Sequence, residues 1–280
     1  MTEAAGLLDP HLTVGTAPAG REKLGLRGVS RHFGAVHALD RIDASIPEGA
    51  FVTLIGPSGC GKSTLFNILA GLLEPDPGGS VALDGMVVPP GGLLGRVAFM
   101  PQRDLLLPWR SVLDNAILAA EVQGQPKKEA RALAREMARD FGLAGFEDHF
   151  PQQLSGGMRQ RVALMRTFLF DRDVMLLDEP FGALDALTRS LMQRWLLDIW
   201  SRYRRTIVFI THDIDEAIFL ADRVLVMGAR PGRIRMDRAI DLPRPRAAAL
   251  ITAPEFTAIK RELLEVLEEE SLKTFQAGQR

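Results

Sequence analysis

The sequence has 280 residues, room for one or two domains at roughly 150 residues each, with 46% hydrophobic and 25% charged residues. That balance excludes a wholly disordered chain and a collagen-like repeat, and the single cysteine, Cys60, excludes a disulfide scaffold and fits a reducing compartment. Lys and Arg number 34 against 35 Asp and Glu, a net charge of −1, so no bulk positive charge is present to grip a nucleic acid, and no apolar run approaches the ~18 residues of a membrane span.

Residues 1 to 20 have little periodicity, no Lys or Arg, and no apolar core of signal-peptide length, so they are read as a disordered tail. From Leu24 short β-rich runs alternate with turns. Phe51 to Ile55 is a buried-strand pattern that enters a glycine-rich loop at Gly56. Gly56-Pro57-Ser58-Gly59-Cys60-Gly61-Lys62-Ser63-Thr64 fits G-x-x-x-x-G-K-[ST], set between that strand and a helical run, Leu65 to Leu72. Such a loop turns successive backbone N–H groups inward, and the helix N-terminus adds partial positive charge, so a phosphate chain is surrounded by donors. Lys62 is expected to reach the β- and γ-phosphates and the Ser63 hydroxyl to ligate Mg2+. Cys60 is a small residue tolerated where backbone does the binding. It also lies beside a helix N-terminus and Lys62, two features that lower a thiol pKa, so alkylation is expected to inactivate the protein and ATP to protect it.

Val81 to Leu83 and Val97 to Met100 read as further strands. The apolar stretch Leu105 to Pro108 with Trp109 either tucks into the helical region that follows or forms a surface groove for a partner helix. Ser111 to Phe170 is helical in pattern. Ser111 with Asp114 forms a capping box, and Pro126 suits a first turn ahead of Lys127 to Phe141. Leu154-Ser155-Gly156-Gly157 opens a helix running to about Phe170 and makes a second anion site: a plain helix cap, or the piece that completes the nucleotide site of a second copy.

Val174 to Leu177 is an apolar strand ending in Asp178-Glu179. At the carboxyl edge of a sheet, Asp178 would hold Mg2+ and Glu179 would polarise the water that attacks the γ-phosphate. Ile207 to Ile210 and Val224 to Met227 are the remaining strands, and Pro243 and Pro245 mark a linker. Thr252 and Glu255 have capping-box spacing before a last helix with Phe256, Ile259, Leu263 and Val266 or Leu267 on one face. Glu262, Glu265, Glu268, Glu269 and Glu270 read as its solvated face. No repeat of 20 to 50 residues is present.

Leu154-Ser155-Gly156-Gly157-Met158-Arg159-Gln160-Arg161 resembles the signature sequence of ATP-binding cassette (ABC) ATPases, and it precedes Asp178 in the order that family shows. In the family this serine and these glycines contact the γ-phosphate of ATP held by the opposite subunit, which implies two chains closing head-to-tail around two ATP molecules. Gln102, in Phe99-Met100-Pro101-Gln102, is similar to the Q-loop glutamine that touches Mg2+ and the attacking water. Asp185, in Gly182-Ala183-Leu184-Asp185, resembles the D-loop aspartate that couples the two sites, and His212 the switch histidine that holds the γ-phosphate. Phe33, with His32 beside it, corresponds to the aromatic that stacks on adenine, although Tyr is commoner there. The resemblance spans roughly residues 24 to 246 and implies an α/β P-loop NTPase fold: a RecA-like core with N-terminal antiparallel β strands and an inserted helical subdomain at about 104 to 168. Residues 247 to 280 form a C-terminal helical extension.

Within the family, Leu106 to Arg110, Phe181 to Arg189 and Asp241 to Arg246 look most like importer ATPases of the nitrate, sulfonate, taurine and pyrimidine-precursor group. That implies an ATP- and Mg2+-dependent energy-coupling subunit, peripheral on the cytoplasmic face of the cell membrane. It also implies a permease docking near Leu105 to Trp109, a solute-binding protein acting indirectly, and no nucleic acid partner. An exporter ATPase is the nearest alternative. A soluble ABC protein usually needs two fused cassettes, a coiled-coil insertion or a basic surface, and intact Lys62, Glu179 and His212 argue against a non-hydrolysing module.

Overall fold

The computed structural model describes residues 20–182 and 184–277, so the expected tail lies, apart from Gly20, outside the described residues. In chain order the elements are β1 (Glu22–Phe33), β2 (Val36–Pro47), β3 (Phe51–Ile55), α1 (Lys62–Leu69), β4 (Ser80–Leu83), β5 (Met86–Val87) and β6 (Ala98–Met100). The helices α2 (Val112–Ala116), α3 (Leu118–Val122), α4 (Lys127–Asp140) and α5 (Gly156–Leu169) follow. Then come β7 (Val174–Asp178), α6 (Ala186–Tyr203), β8 (Thr206–Ile210), α7 (Ile214–Leu220), β9 (Arg223–Met227), β10 (Ile234–Ala239) and α8 (Pro254–Ala277).

Two sheets result. One is antiparallel, in the order β2-β1-β4-β5; the other runs β10-β9-β3-β8-β7-β6, parallel throughout except for β10. A parallel sheet needs both faces covered, and β3, β7, β8 and β9 are buried at every position. Their side chains divide with period two. Phe51, Met175, Leu177, Ile207, Phe209, Val224 and Val226 enter a core shared with the helices α2 to α8. The alternate residues Val52, Leu54, Val174, Leu176, Val208, Ile210, Leu225 and Met227 enter a second core beneath the antiparallel sheet and α1.

β1 and β2 are each twelve residues long, not the short runs expected, and register shifts along their ladder let such long strands coil over the core. Half of the expected capping box is present at α2: the Ser111 hydroxyl accepts from Asp114 N–H at 3.3 Å, while the Asp114 carboxylate accepts from that hydroxyl at 3.2 Å and not from the Ser111 N–H. Pro126 stands one residue earlier than expected, at the N-cap of α4, whose Ala130, Ala134 and Ala138 make a small-residue face against the core. The buried Asn115 fixes the preceding loop by donating to the carbonyls of Leu107, Arg110 and Ser111 and accepting from Leu107 N–H at 2.7 Å. α5 grips the same loop, Arg166 donating to the carbonyls of Asp104 and Leu105. Leu106 packs inward, whereas Leu105 and Trp109 remain 58% and 71% exposed, so Trp109 does not tuck into the helices.

The end of the chain departs from expectation in three places. α8 begins at Pro254, whose fixed φ suits a first helical position, and the Thr252 hydroxyl is spent on the Ala249 carbonyl at 3.0 Å instead of capping the helix. Phe256, Ile259 and Leu263 of α8 are buried as their spacing predicts, yet Glu270 is buried as well and does not belong to the solvated face. The proline-marked linker is a clamp. Arg244 donates to the Leu220 carbonyl and pairs with Asp222, and the buried Arg246 donates to the carbonyls of Ile218, Phe219 and Ala221, closing the C-terminus of α7. Burial and neighbouring Arg244 push the Arg246 guanidinium down to about 10, still protonated at neutral pH.

Candidate active site

Because β9, β3, β8, β7 and β6 run parallel and adjacent, their carboxyl ends deliver five turns to one edge. β3 delivers the glycine-rich loop, β7 delivers Asp178 and Glu179, β8 delivers Thr211 and His212, and Gln102 follows β6. Lys62, Ser63, Thr64, Gln102, Asp178 and Glu179 line a common cavity of about 260 Å³.

The loop closes onto α1 through Gly61, whose φ of 107° lies in the left-handed region and whose added Cβ would sit 2.7 Å from Leu39 Cδ2. The Lys62 ammonium donates to the carbonyls of Gly56 (2.8 Å) and Pro57 (3.0 Å), so the charge is held over the loop by its own backbone. Cys60 differs from expectation. Its side chain is 1% exposed and packs into the second core, and burial outweighs Lys62 and pushes the thiol up, not down.

Asp178 is buried, and desolvation together with the Glu179 charge pushes its carboxyl up to about 6, opposed by the Ser63 hydroxyl and by Lys62. Hydroxyl and carboxylate line the same cavity. Glu179 takes a left-handed φ of 46°, rare for a side chain of this size, while its N–H extends the ladder to the Ile210 carbonyl at 3.0 Å. Its Oε2 accepts from Gln102 Nε2 at 3.0 Å and lies 3.5 Å from His212 Nδ1, so the ends of β6, β7 and β8 meet on one oxygen. Behind His212, the buried Glu216 takes the Thr211 hydroxyl and accepts from Gln193 Nε2 at 2.9 Å, and burial pushes its carboxyl up. Thr211 accepts from Asp213 N–H at 3.0 Å, which fixes the turn that presents His212.

The other expected residues lie elsewhere. Ser155, Gly156 and Gly157 do not line the cavity; the Ser155 hydroxyl caps α5 by accepting from Met158 N–H at 3.2 Å. Asp185 caps α6 by accepting from Thr188 N–H at 3.0 Å, and hydrogen bonds from Thr188 hold its carboxyl below the usual range. The N-termini of α5 and α6 touch, since a Cβ on Gly157 would lie 3.1 Å from Leu184 Cδ2. Phe33 is 46% exposed with the Arg31 guanidinium 5.0 Å from its ring, and the neighbouring His32, also half exposed, stacks on His37 and bonds Asp76, so each ring has one face covered. Among the described residues no group of three or more His, Cys, Asp or Glu forms a metal cage. A serine hydroxyl beside one buried carboxylate instead suits Mg2+, which completes its shell with water and phosphate oxygens.

Sequence reasoning missed Glu216 and Arg230. Asp213 and Glu216 have the spacing of an N-cap with its third helical residue, and Asp213 does accept from Glu216 N–H, so that signal was present. Arg230 also lines the cavity, yet nothing near it in the chain points to a loop more than 160 positions earlier.

Comparison with known proteins bears on the family and the fold. Residues 39–182 match the ABC transporter family. The chain is 47% identical over 241 residues to an uncharacterized ABC transporter ATP-binding protein of Methanocaldococcus jannaschii, covering 86% of this chain and 88% of that one. It is 44% identical over 243 residues to the taurine import ATP-binding protein TauB of Rhizobium johnstonii, covering 85% and 92%. The fold superposes with a TM-score of 0.70 on the dimeric structure of a bacterial ABC transporter cassette, MJ0796, at 29% identity over 79% of this chain and all of that one. A glycine-rich loop, paired carboxylates, glutamine and histidine on one parallel-sheet edge, together with these matches, place the chain in the ABC transporter family, with the P-loop NTPase fold of its ATPase cassettes.

Proposed function

We propose that the chain is the ATP-hydrolysing, energy-coupling subunit of an importer for a small solute of the taurine and sulfonate type. The observation that carries this reading is the convergence of Gln102, Glu179 and His212 on one carboxylate oxygen beside Lys62, Ser63 and Asp178. In this reading backbone N–H groups of residues 56 to 64 and the Lys62 ammonium hold the phosphates, and Phe33 stacks on the adenine. Glu179 accepts the proton of the attacking water, Gln102 orients that water, and His212 donates to the γ-phosphate. Ser63, Asp178 and Gln102 would hold Mg2+, which when bound neutralises phosphate charge.

The loop after Gln102 supports coupling to a membrane partner. It is fixed from below by Asn115 and Arg166 and carries Leu105 and Trp109 outward, a surface suited to a permease helix. Among the described residues no helix is long and apolar enough to cross a membrane, so the span belongs to that permease, with a solute-binding protein acting on it from the other side. The likeness to a taurine import ATP-binding protein supports the import direction and the solute class.

Glu179→Gln should keep ATP binding and lower phosphate release by about 10²–10⁴-fold, the usual worth of a general base. Full turnover by this variant in a phosphate-release assay would reject the assignment. Taurine uptake by vesicles carrying the whole transporter, lost in the same variant, would establish the coupling.

A further inference from the structure

A cavity of about 640 Å³ opens between the glycine-rich loop, the turn joining β9 to β10, and the last turns of α8. It is separate from the nucleotide cavity but shares a wall with it, since Ser58, Gly59 and Arg230 line both. The charged groups around it are Arg230, Arg233, Arg235, Lys273 and Glu270: four cations and one carboxylate. Glu270 is 4% exposed and already committed, accepting from Ala229 N–H (2.8 Å) and pairing with Lys273 (2.7 Å) and Arg235 (3.2 Å), and Lys273 also pairs with Glu269 at 2.6 Å. Arg233 pairs with Asp40. Arg230 differs: its Nε and Nη2 both donate to the Gly59 carbonyl, at 3.2 and 3.0 Å, and among the described residues no carboxylate pairs with it.

The turn that carries Arg230 also braces the phosphate loop. Gly232 donates to the Ala38 carbonyl at 2.9 Å and accepts from Asp40 N–H at 3.0 Å. A Cβ on Gly232 would overlap the Cys60 carbonyl, so turn and loop are in direct backbone contact. Gly59, the residue Arg230 holds, has a left-handed φ of 75°. One continuous set of contacts therefore runs from Glu270 on α8 through Ala229 and Arg230 to Gly59.

We propose that this cavity is a binding site for a small polyanion, a molecule carrying two or more sulfonate, phosphate or carboxylate groups, and that its occupation loosens the phosphate loop through Arg230. The volume suits a metabolite-sized ligand. With Glu269 and Asp40 counted beside Glu270, four cations face three carboxylates, an excess of one positive charge that favours an anion, and a guanidinium fork binds an oxyanion more strongly than a backbone carbonyl. An anion that takes Arg230 from Gly59 removes the brace on the loop, so nucleotide binds less tightly, and by reciprocity nucleotide weakens the anion. This site does not depend on the import reading, since neither Lys273 nor Arg235 lines the nucleotide cavity.

The test uses the full chain and ethane-1,2-disulfonate, a dianion that binds Mg2+ poorly, titrated by calorimetry without nucleotide. Binding is expected for the wild type, and Lys273→Gln should weaken it roughly tenfold, the worth of one charge-assisted contact. Ethanesulfonate, with a single charge, should bind more weakly than the disulfonate. The apparent ATP Kd should rise severalfold with the disulfonate and then level off, with Lys273→Gln requiring correspondingly more dianion for the same rise. Absence of binding at millimolar dianion, equal binding by Lys273→Gln, or equal binding of ethanesulfonate would overturn the proposal. A rise in ATP Kd that never levels off and is identical in both proteins would place the dianion on the phosphate loop itself and overturn it too.

Discussion

Glu179 brings the ends of three strands together on one carboxylate, where Gln102 and His212 meet it. Its left-handed backbone costs on the order of 1 kcal/mol and is held by the ladder bond to Ile210, which aims the carboxylate at Gln102 and His212. The phosphate loop was legible from the sequence because its chemistry is local: backbone donors, a lysine and a hydroxyl within nine consecutive residues. Cys60 was misread for the same reason. Its neighbours in sequence lower a thiol pKa, whereas its neighbours in space desolvate it, and desolvation prevails. The thiolate fraction at neutral pH is therefore below that of a free cysteine, and the sulfur lies beneath the loop. Iodoacetamide labelling followed by mass spectrometry should be slow in the folded protein, rise with pH and on unfolding, and be nearly indifferent to ATP. Rapid labelling that ATP blocks would show the thiol on the nucleotide-facing surface instead.

At the scale of elements, the strand-loop-helix at β3 and α1 and the buried strands β7, β8 and β9 could be read from short apolar runs bounded by turns. β10 could not, because all six of its residues are half-buried at the edge of the sheet and show no alternation. The Pro243 to Arg246 segment reads as a linker because prolines dominate its local signal, but its two arginines serve a helix end more than twenty positions earlier. Such a role is visible only once the carbonyls of α7 are accounted for. Arg246→Met keeps most of the buried stem and removes the donors, leaving the Ile218, Phe219 and Ala221 carbonyls short of partners. We expect a loss of about 3 kcal/mol in urea unfolding, the cost of stranding buried acceptors. Arg246→Lys should recover part of it. A loss too small to measure for Arg246→Met would mean that water replaces the guanidinium and that the clamp is not structural.

At the scale of the whole molecule, one chain carries two helix N-termini suited to phosphate, at α1 and α5, and brings only the first to the cavity lined by Lys62 and Ser63. Ser155 to Gly157 open α5 with first-turn N–H groups available to an anion, yet they do not border Lys62 or Ser63. The cassette that this fold resembles is dimeric, and the head-to-tail pairing implied by the signature resemblance would set that surface of a second copy against the γ-phosphate bound by the first. Gly156 is the position at which to test this. A Cβ there would approach only Arg159 Nη2, at 3.8 Å, and a negative charge on the first helical residue favours the monomer's own helix. Gly156→Glu should therefore fold normally while directing a carboxylate at the partner's phosphate. In a Glu179→Gln background, ATP should convert monomer to dimer by light scattering, and the added Gly156→Glu should hold the protein monomeric with its ATP Kd changed by no more than about twofold, since like charges repel only across the pair. Dimerisation that survives Gly156→Glu would refute the head-to-tail arrangement. A large loss of ATP binding by the monomer would instead place Gly156 in its own chain's site.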